Sequence, residues 1–145
     1  MYLISHRGNL EGPKAEYENS IKYINHAISK GFDVEIDVWF YKNNFYLGHD
    51  EPQYLIKEDF LVNSKLWCHA KNFTALSKMK ANKNIHYFWH QKDDYTLTSN
   101  NFIWCYPGKL KGKECIDVMP EIICNISEYK IKSIGVCSDF IERLK

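Results

Sequence analysis

Apolar and acidic side chains alternate strictly over Asp33-Val34-Glu35-Ile36-Asp37-Val38, a period of two that an extended strand sorts onto two faces. One face carries Val34, Ile36 and Val38; the other carries only acids, spaced about 6.6 Å apart. Two like charges at that distance repel by about 0.6 kcal/mol in water and about 2.5 kcal/mol near a protein surface. Such a face needs a positive partner, either a cation or basic side chains, unless the strand lies at a solvated edge. His6-Arg7-Gly8 upstream and His49-Asp50 downstream favour a partnered face.

A chain of 145 residues fits one domain, 1–145, large enough for a single core. Its apolar fraction of 45% and charged fraction of 26% are those of a globular protein in water. The net charge of +1 gives no electrostatic grip on nucleic acid or on an acidic membrane, so no nucleic-acid partner is expected. No apolar run approaches a membrane span, and no secretory leader pattern is present at the start. The five cysteines, Cys68, Cys105, Cys115, Cys124 and Cys137, are odd in number and lack a Cys-x-x-Cys pair. They read as reduced thiols, and a cytoplasmic location is expected.

Strands are expected at 2–6, 33–40, 66–71, 85–90, 102–106, 115–119 and 133–138, with weaker ones at 44–47 and 95–99. A helix is expected over 19–30, where Ile21, Ile24, Ala27 and Ile28 form an apolar stripe. Asn19 or Ser20 can cap its start and Gly31 its end. A second helix is expected over 73–82, and short helical turns over 57–63 and 139–144. The strand–helix–strand opening argues for parallel strands and an α/β architecture.

In that architecture the C-terminal ends of strands form the ligand face. His6 ends the first strand; a histidine there can move protons near neutral pH, and Arg7 can fork onto phosphate oxygens. Glu35 and Asp37, two apart, can converge on one hard cation. Asp33 opens the strand and is expected to be solvated or to help a turn. His49 sits on a loop where it can serve as a second acid or base, or lie idle at the surface. His69 and Lys71 share a face of another strand, His69 as metal ligand, phosphate donor or interior histidine, Lys71 as a point charge for phosphate.

His6-Arg7-Gly8, Glu18-Asn19-Ser20, Glu35-Ile36-Asp37-Val38 and Gly48-His49-Asp50 follow in this order. Together they resemble the signature of the glycerophosphodiester phosphodiesterase family: H-R-G, P-E-N-[TS], E-x-D-V and H-D. His69-Ala70-Lys71 is a fifth piece, and Gly135-Val136-Cys137-Ser138-Asp139 looks like the family's last barrel strand. The resemblance implies a TIM-barrel phosphodiesterase with one divalent cation. By position, His6 and His49 would be the acid/base pair, Glu35 and Asp37 would hold the metal, and Arg7 and Lys71 would bind phosphate. Glu18 would support the site by orienting Arg7 or His6.

Three departures stand out. Tyr17 replaces the family's Pro. His69 stands where the family has a third carboxylate; the resemblance implies Mg²⁺, Mn²⁺ or Ca²⁺, and an imidazole shifts preference from Ca²⁺ toward Mn²⁺ or Zn²⁺. Length is the third, because a typical (β/α)₈ barrel takes about 250 residues. The expected fold is therefore a trimmed TIM-like (β/α) barrel of seven or eight mostly parallel strands, with several helices missing or shortened. Trp89, Phe102, Trp104 and Tyr106, or a homodimer partner, would cover bare outer strand faces. The expected function is metal-dependent cleavage of a small glycerophosphodiester-like or sugar-linked phosphodiester. The alternative is a degenerate barrel that binds a phosphorylated ligand without cleaving it.

Overall fold

A computed structural model describes all of Met1–Lys145. Ten strands make one mixed sheet: β1 (Tyr2–His6), β2 (Asp33–Tyr41), β3 (Asn44–Leu47), β4 (Tyr54–Ile56), β5 (Leu66–Ala70), β6 (Tyr87–Phe88), β7 (Tyr95–Leu97), β8 (Ile103–Cys105), β9 (Cys115–Val118) and β10 (Gly135–Ser138). The α-helices are three and short: α1 (Ile21–Ser29), α2 (Glu58–Leu61) and α3 (Phe73–Ala81). Parallel pairing runs β6-β5-β2-β1-β10-β9-β8. Antiparallel β7 extends it beside β8, and β3 and β4 add beside the far half of β2.

This sheet curls into a half-barrel, which corrects the expectation of a trimmed TIM-like barrel of mostly parallel strands. The cause lies in the connections. A parallel return needs a crossover of about a dozen residues or more, but only Lys42 and Asn43 separate β2 from β3, and residues 98–102 separate β7 from β8. Lys42 and Asn43 both have positive φ, 46° and 61°, the twist that suits a two-residue hairpin. No α-helix follows Ala81; 3₁₀ turns at Pro120–Ile122, Ile126–Glu128 and Ile141–Leu144 take the place of crossover helices.

The two faces of β2 enter different surroundings. Val34, Ile36 and Val38 join a 19-residue apolar core with Ile24 and Ala27 of α1, Leu61 of α2, and Ala75 and Met79 of α3. Burying a side chain such as Ile36 contributes about 1.5–3 kcal/mol. The acids face the other way, into the concavity, above a seven-residue core of Ile4, Trp67, Phe88, Trp104, Ile116, Val118 and Cys137. Phe102 packs against this inner core as well, so Phe102 and Trp104 fill the inside of the curl instead of shielding its outside. Asp33 is not solvated. It is buried at the base of the concavity and accepts from Lys65 Nζ (2.8 Å) and Trp67 Nε1 (3.1 Å).

Ser20, not Asn19, caps α1, accepting from the Tyr23 amide, and Gly31 (φ 96°) follows its end in the left-handed geometry of a helix stop. Asn72 caps α3 and also bonds both backbone polar groups of Phe40, tying the helix to β2. No disulfide forms among the five cysteines. No helix is long and apolar enough to cross a membrane.

Candidate functional site

Parallel register sets the site. His6 lies opposite Glu35, and Asp37 opposite His69, so the C-terminal ends of β1 and β5 and the middle of β2 present His6, Glu35, Asp37 and His69 together. One ligand atom from each of Glu35, Asp37 and His69 lies within 4.8 Å of the others. His69 Nε2 donates to the His90 carbonyl at 2.8 Å. Because a carbonyl can only accept, the Nε2 proton is fixed and Nδ1 is left facing the acids. That nitrogen lies 3.2 Å from Asp37 Oδ1 and 3.6 Å from Glu35 Oε1.

Beyond β1 the chain turns sharply. Arg7 has a left-handed φ of 55°, and its amide donates to the Glu35 carbonyl. Gly8 follows at φ 95°, where a Cβ would meet Tyr23 Cδ1 at 2.6 Å. The turn aims the Arg7 guanidinium inward: Nε is 3.0 Å from Asp37 Oδ2, and an Nη donates to Glu18 at 3.1 Å. Lys71 Nζ approaches Asp37 Oδ1 at 3.4 Å. The expected phosphate ligands therefore both neutralise Asp37. Glu18 contacts Arg7 and Asn9, not His6.

These charges set the protonation states. Burial would raise the Asp37 carboxyl, but His69, Arg7 and Lys71 hold it well below the usual carboxylate range. Burial would lower His69, yet contact with Asp37 and Glu35 raises it to about 9. His6 is likewise raised: burial opposes the charge, while Asp139 and Glu35 win. Asp139 is lowered by the same pairing, against the effect of its burial.

The donor set fits a divalent cation. Asp37 Oδ1 and Glu35 Oε2 are buried with no hydrogen bond; the His69 and Lys71 contacts to Asp37 Oδ1 are ion pairs without hydrogen-bond alignment. Two carboxylate oxygens and one imidazole nitrogen suit Mn²⁺ or Zn²⁺, and Mg²⁺ with water completing the shell.

His6, Arg7, Glu35, His49, His69 and Lys71 all line one cavity of about 450 Å³. His49 reaches it from the loop after β3, where Trp39 Nε1 donates to the Gly48 carbonyl at 2.7 Å. Each histidine has an aspartate on Nδ1: His6 Nδ1 lies 2.7 Å from Oδ1 of the mostly buried Asp139, and His49 Nδ1 lies 2.7 Å from Oδ1 of its exposed neighbour Asp50. In each the aspartate holds a proton on Nδ1 and leaves Nε2 free to exchange one.

Sequence reasoning missed three residues here. Asp139 orients His6 from the end of β10. Asn9, fully buried, donates to Glu18 and Asp139, 2.8 Å each. Asn19 (φ 61°) donates to Asp37 Oδ2 and accepts from the Asp37 amide, 2.9 Å each. Asn19 did carry a signal, since it lies inside Glu18-Asn19-Ser20, but its type also suits a helix cap. Asp139 carried its place at the end of the last apolar strand, within Gly135-Val136-Cys137-Ser138-Asp139, but nothing that pointed to His6. Set against protein-family models, the curated proteins and the solved structures, the chain matches none of them.

Proposed function

We propose that this chain is a metal-dependent phosphodiesterase that cleaves a small glycerophosphodiester-like or sugar-linked phosphodiester. One observation carries the reading: two histidines with an aspartate on Nδ1, His6 and His49, line a cavity shared with Arg7, Lys71, Glu35 and His69, the last two clustered with buried Asp37. The order of these residues, in the pattern resembling the glycerophosphodiester phosphodiesterases, supports it.

Arg7 and Lys71 would bind the phosphodiester anion as a fork and a point charge. A hydroxyl neighbouring the phosphate attacks phosphorus, forming a new P–O bond as the bond to the departing alkoxide breaks. One histidine Nε2 takes the hydroxyl proton and the other gives its proton to the alkoxide. The products are a cyclic phosphodiester and an alcohol. Water then opens the ring with the histidine roles reversed, which leaves a phosphomonoester and restores both histidines. A divalent cation held by Glu35, Asp37 and His69 would offset charge on the phosphoryl oxygens.

The test is purified protein with Mg²⁺, Mn²⁺, Ca²⁺ or Zn²⁺ against a panel of phosphodiesters. Turnover is expected with at least one pair, and His6→Ala and His49→Ala should each lower it by about 10²–10⁴-fold without unfolding the chain. No product from any diester overturns the reading. One observation favours a second reading, a binder that does not cleave: Arg7, Lys71 and His69 already surround Asp37. Calorimetry showing diester binding with no cleavage over long incubation would select it.

A further inference from the structure

Two pairs of aromatic rings build the part of the cavity that the proposed chemistry leaves unused. Phe88 and Trp104 face the concavity from β6 and β8 with ring centroids 4.7 Å apart, both almost fully buried. Two residues on, His90 and Tyr106 stand in the same cavity with centroids 5.8 Å apart. Tyr106 is 45% exposed as a residue and lines the cavity, so a ligand can reach it. His90 Nδ1 is buried with no hydrogen-bond partner, and an orphaned polar atom is costly unless something binds it. The His90 carbonyl is the acceptor for His69 Nε2, which fixes this wall relative to the acid cluster.

The charges of the cavity select among ligands. Arg7 and Lys71 line it against one lining carboxylate, Glu35. A headgroup carrying its own positive charge would find no lining carboxylate except Glu35, which already faces His6 and His69. The lining around His90 and Tyr106 is uncharged, with Gln91, Pro107, Met119 and Ile122 among it. An uncharged group with one apolar face to lay on an aromatic ring, and hydroxyls to bond an imidazole nitrogen, meets these conditions. A sugar ring has that chemistry.

We infer that His90 and Tyr106 form a sugar subsite, so that the preferred diester carries an uncharged sugar on one side of its phosphate. This inference rests on the phosphodiesterase reading but is tested apart from it. The probes are two inert diesters of propyl phosphate, one esterified to 4-O-methylglucose through its primary hydroxyl and the other to choline, neither of which has a hydroxyl placed to attack phosphorus. Calorimetry in Mn²⁺ should show the glucose diester binding at least tenfold tighter than the choline diester. Tyr106→Ala and His90→Phe should each weaken the glucose diester at least fivefold and change the choline diester less than twofold.

A choline diester that binds as tightly, a loss shared equally by both probes, or no binding of either overturns the subsite. The wild-type preference decides the matter even if one variant misfolds. Discrimination in binding, with no cleavage of the matching glycerol diesters, keeps the subsite and overturns the phosphodiesterase. Cleavage without discrimination does the reverse.

Discussion

Asp37 is wholly buried and yet ionised, because Arg7, Lys71 and His69 press cations against it while the Asn19 amide donates to one oxygen. The same residue types occur on any polar surface; only their convergence makes a site. Asn19 shows the limit of sequence reading at this scale, since an asparagine before a helix is read as a cap. Here Ser20 takes the cap and frees Asn19 for Asp37. His86 is a buried histidine of the opposite kind. It lies against Trp67 and Phe102 with Nε2 unpartnered. Burial pushes it down to about 4, and Asp33, the nearby charge, only partly resists. Between pH 6.5 and about 4 the unfolded chain takes up a proton that the folded chain refuses, so stability falls as the pH falls. His86→Phe should flatten the decline in melting temperature across that window. An unchanged slope would show that another group sets it.

At the scale of elements, β2 and the hairpin after it bring the site together. Strand period alone assigned Val34, Ile36 and Val38 to one face and the acids to the other, and the structure buries both. The loop after β3 was legible as the carrier of His49, but its rigidity was not. Gly48 has φ 150°, and a Cβ there would meet the Glu51 carbonyl oxygen at 2.1 Å. Its amide bonds the Asp37 carbonyl and its carbonyl bonds Trp39, so the loop that carries His49 is fastened to β2. Gly48→Ala should cost about 1–3 kcal/mol of stability through overpacking and lower turnover at least tenfold, toward the level of His49→Ala. Full activity in a folded Gly48→Ala chain would mean that the loop position does not matter to the reaction.

The whole molecule is a half-barrel whose inner acids are held by burial on every side, so a cation bound there should stabilise the fold as a unit. Mn²⁺ at 100 times its dissociation constant should add about 2.7 kcal/mol, read as a rise of roughly 5–10 °C in melting temperature for a domain of this size. A chelator should reverse the rise and Glu35→Gln should remove most of it. Equal melting with and without each metal would leave the cluster as a set of ion pairs only. Strand positions and the residues of the site were largely legible, because strand period and the order of chemical groups are local properties. The half-barrel was not, since it follows from connection lengths that return the chain antiparallel at β3 and β7. The amino-acid order by itself determined that Glu35 and Asp37 share a face, because neighbours two apart on a strand have no choice. Only the tertiary structure decided that His6 meets Asp139 across 133 residues and that His69 faces both acids. Strand partners are chosen by burial and chain closure over the whole molecule, and no local pattern encodes them.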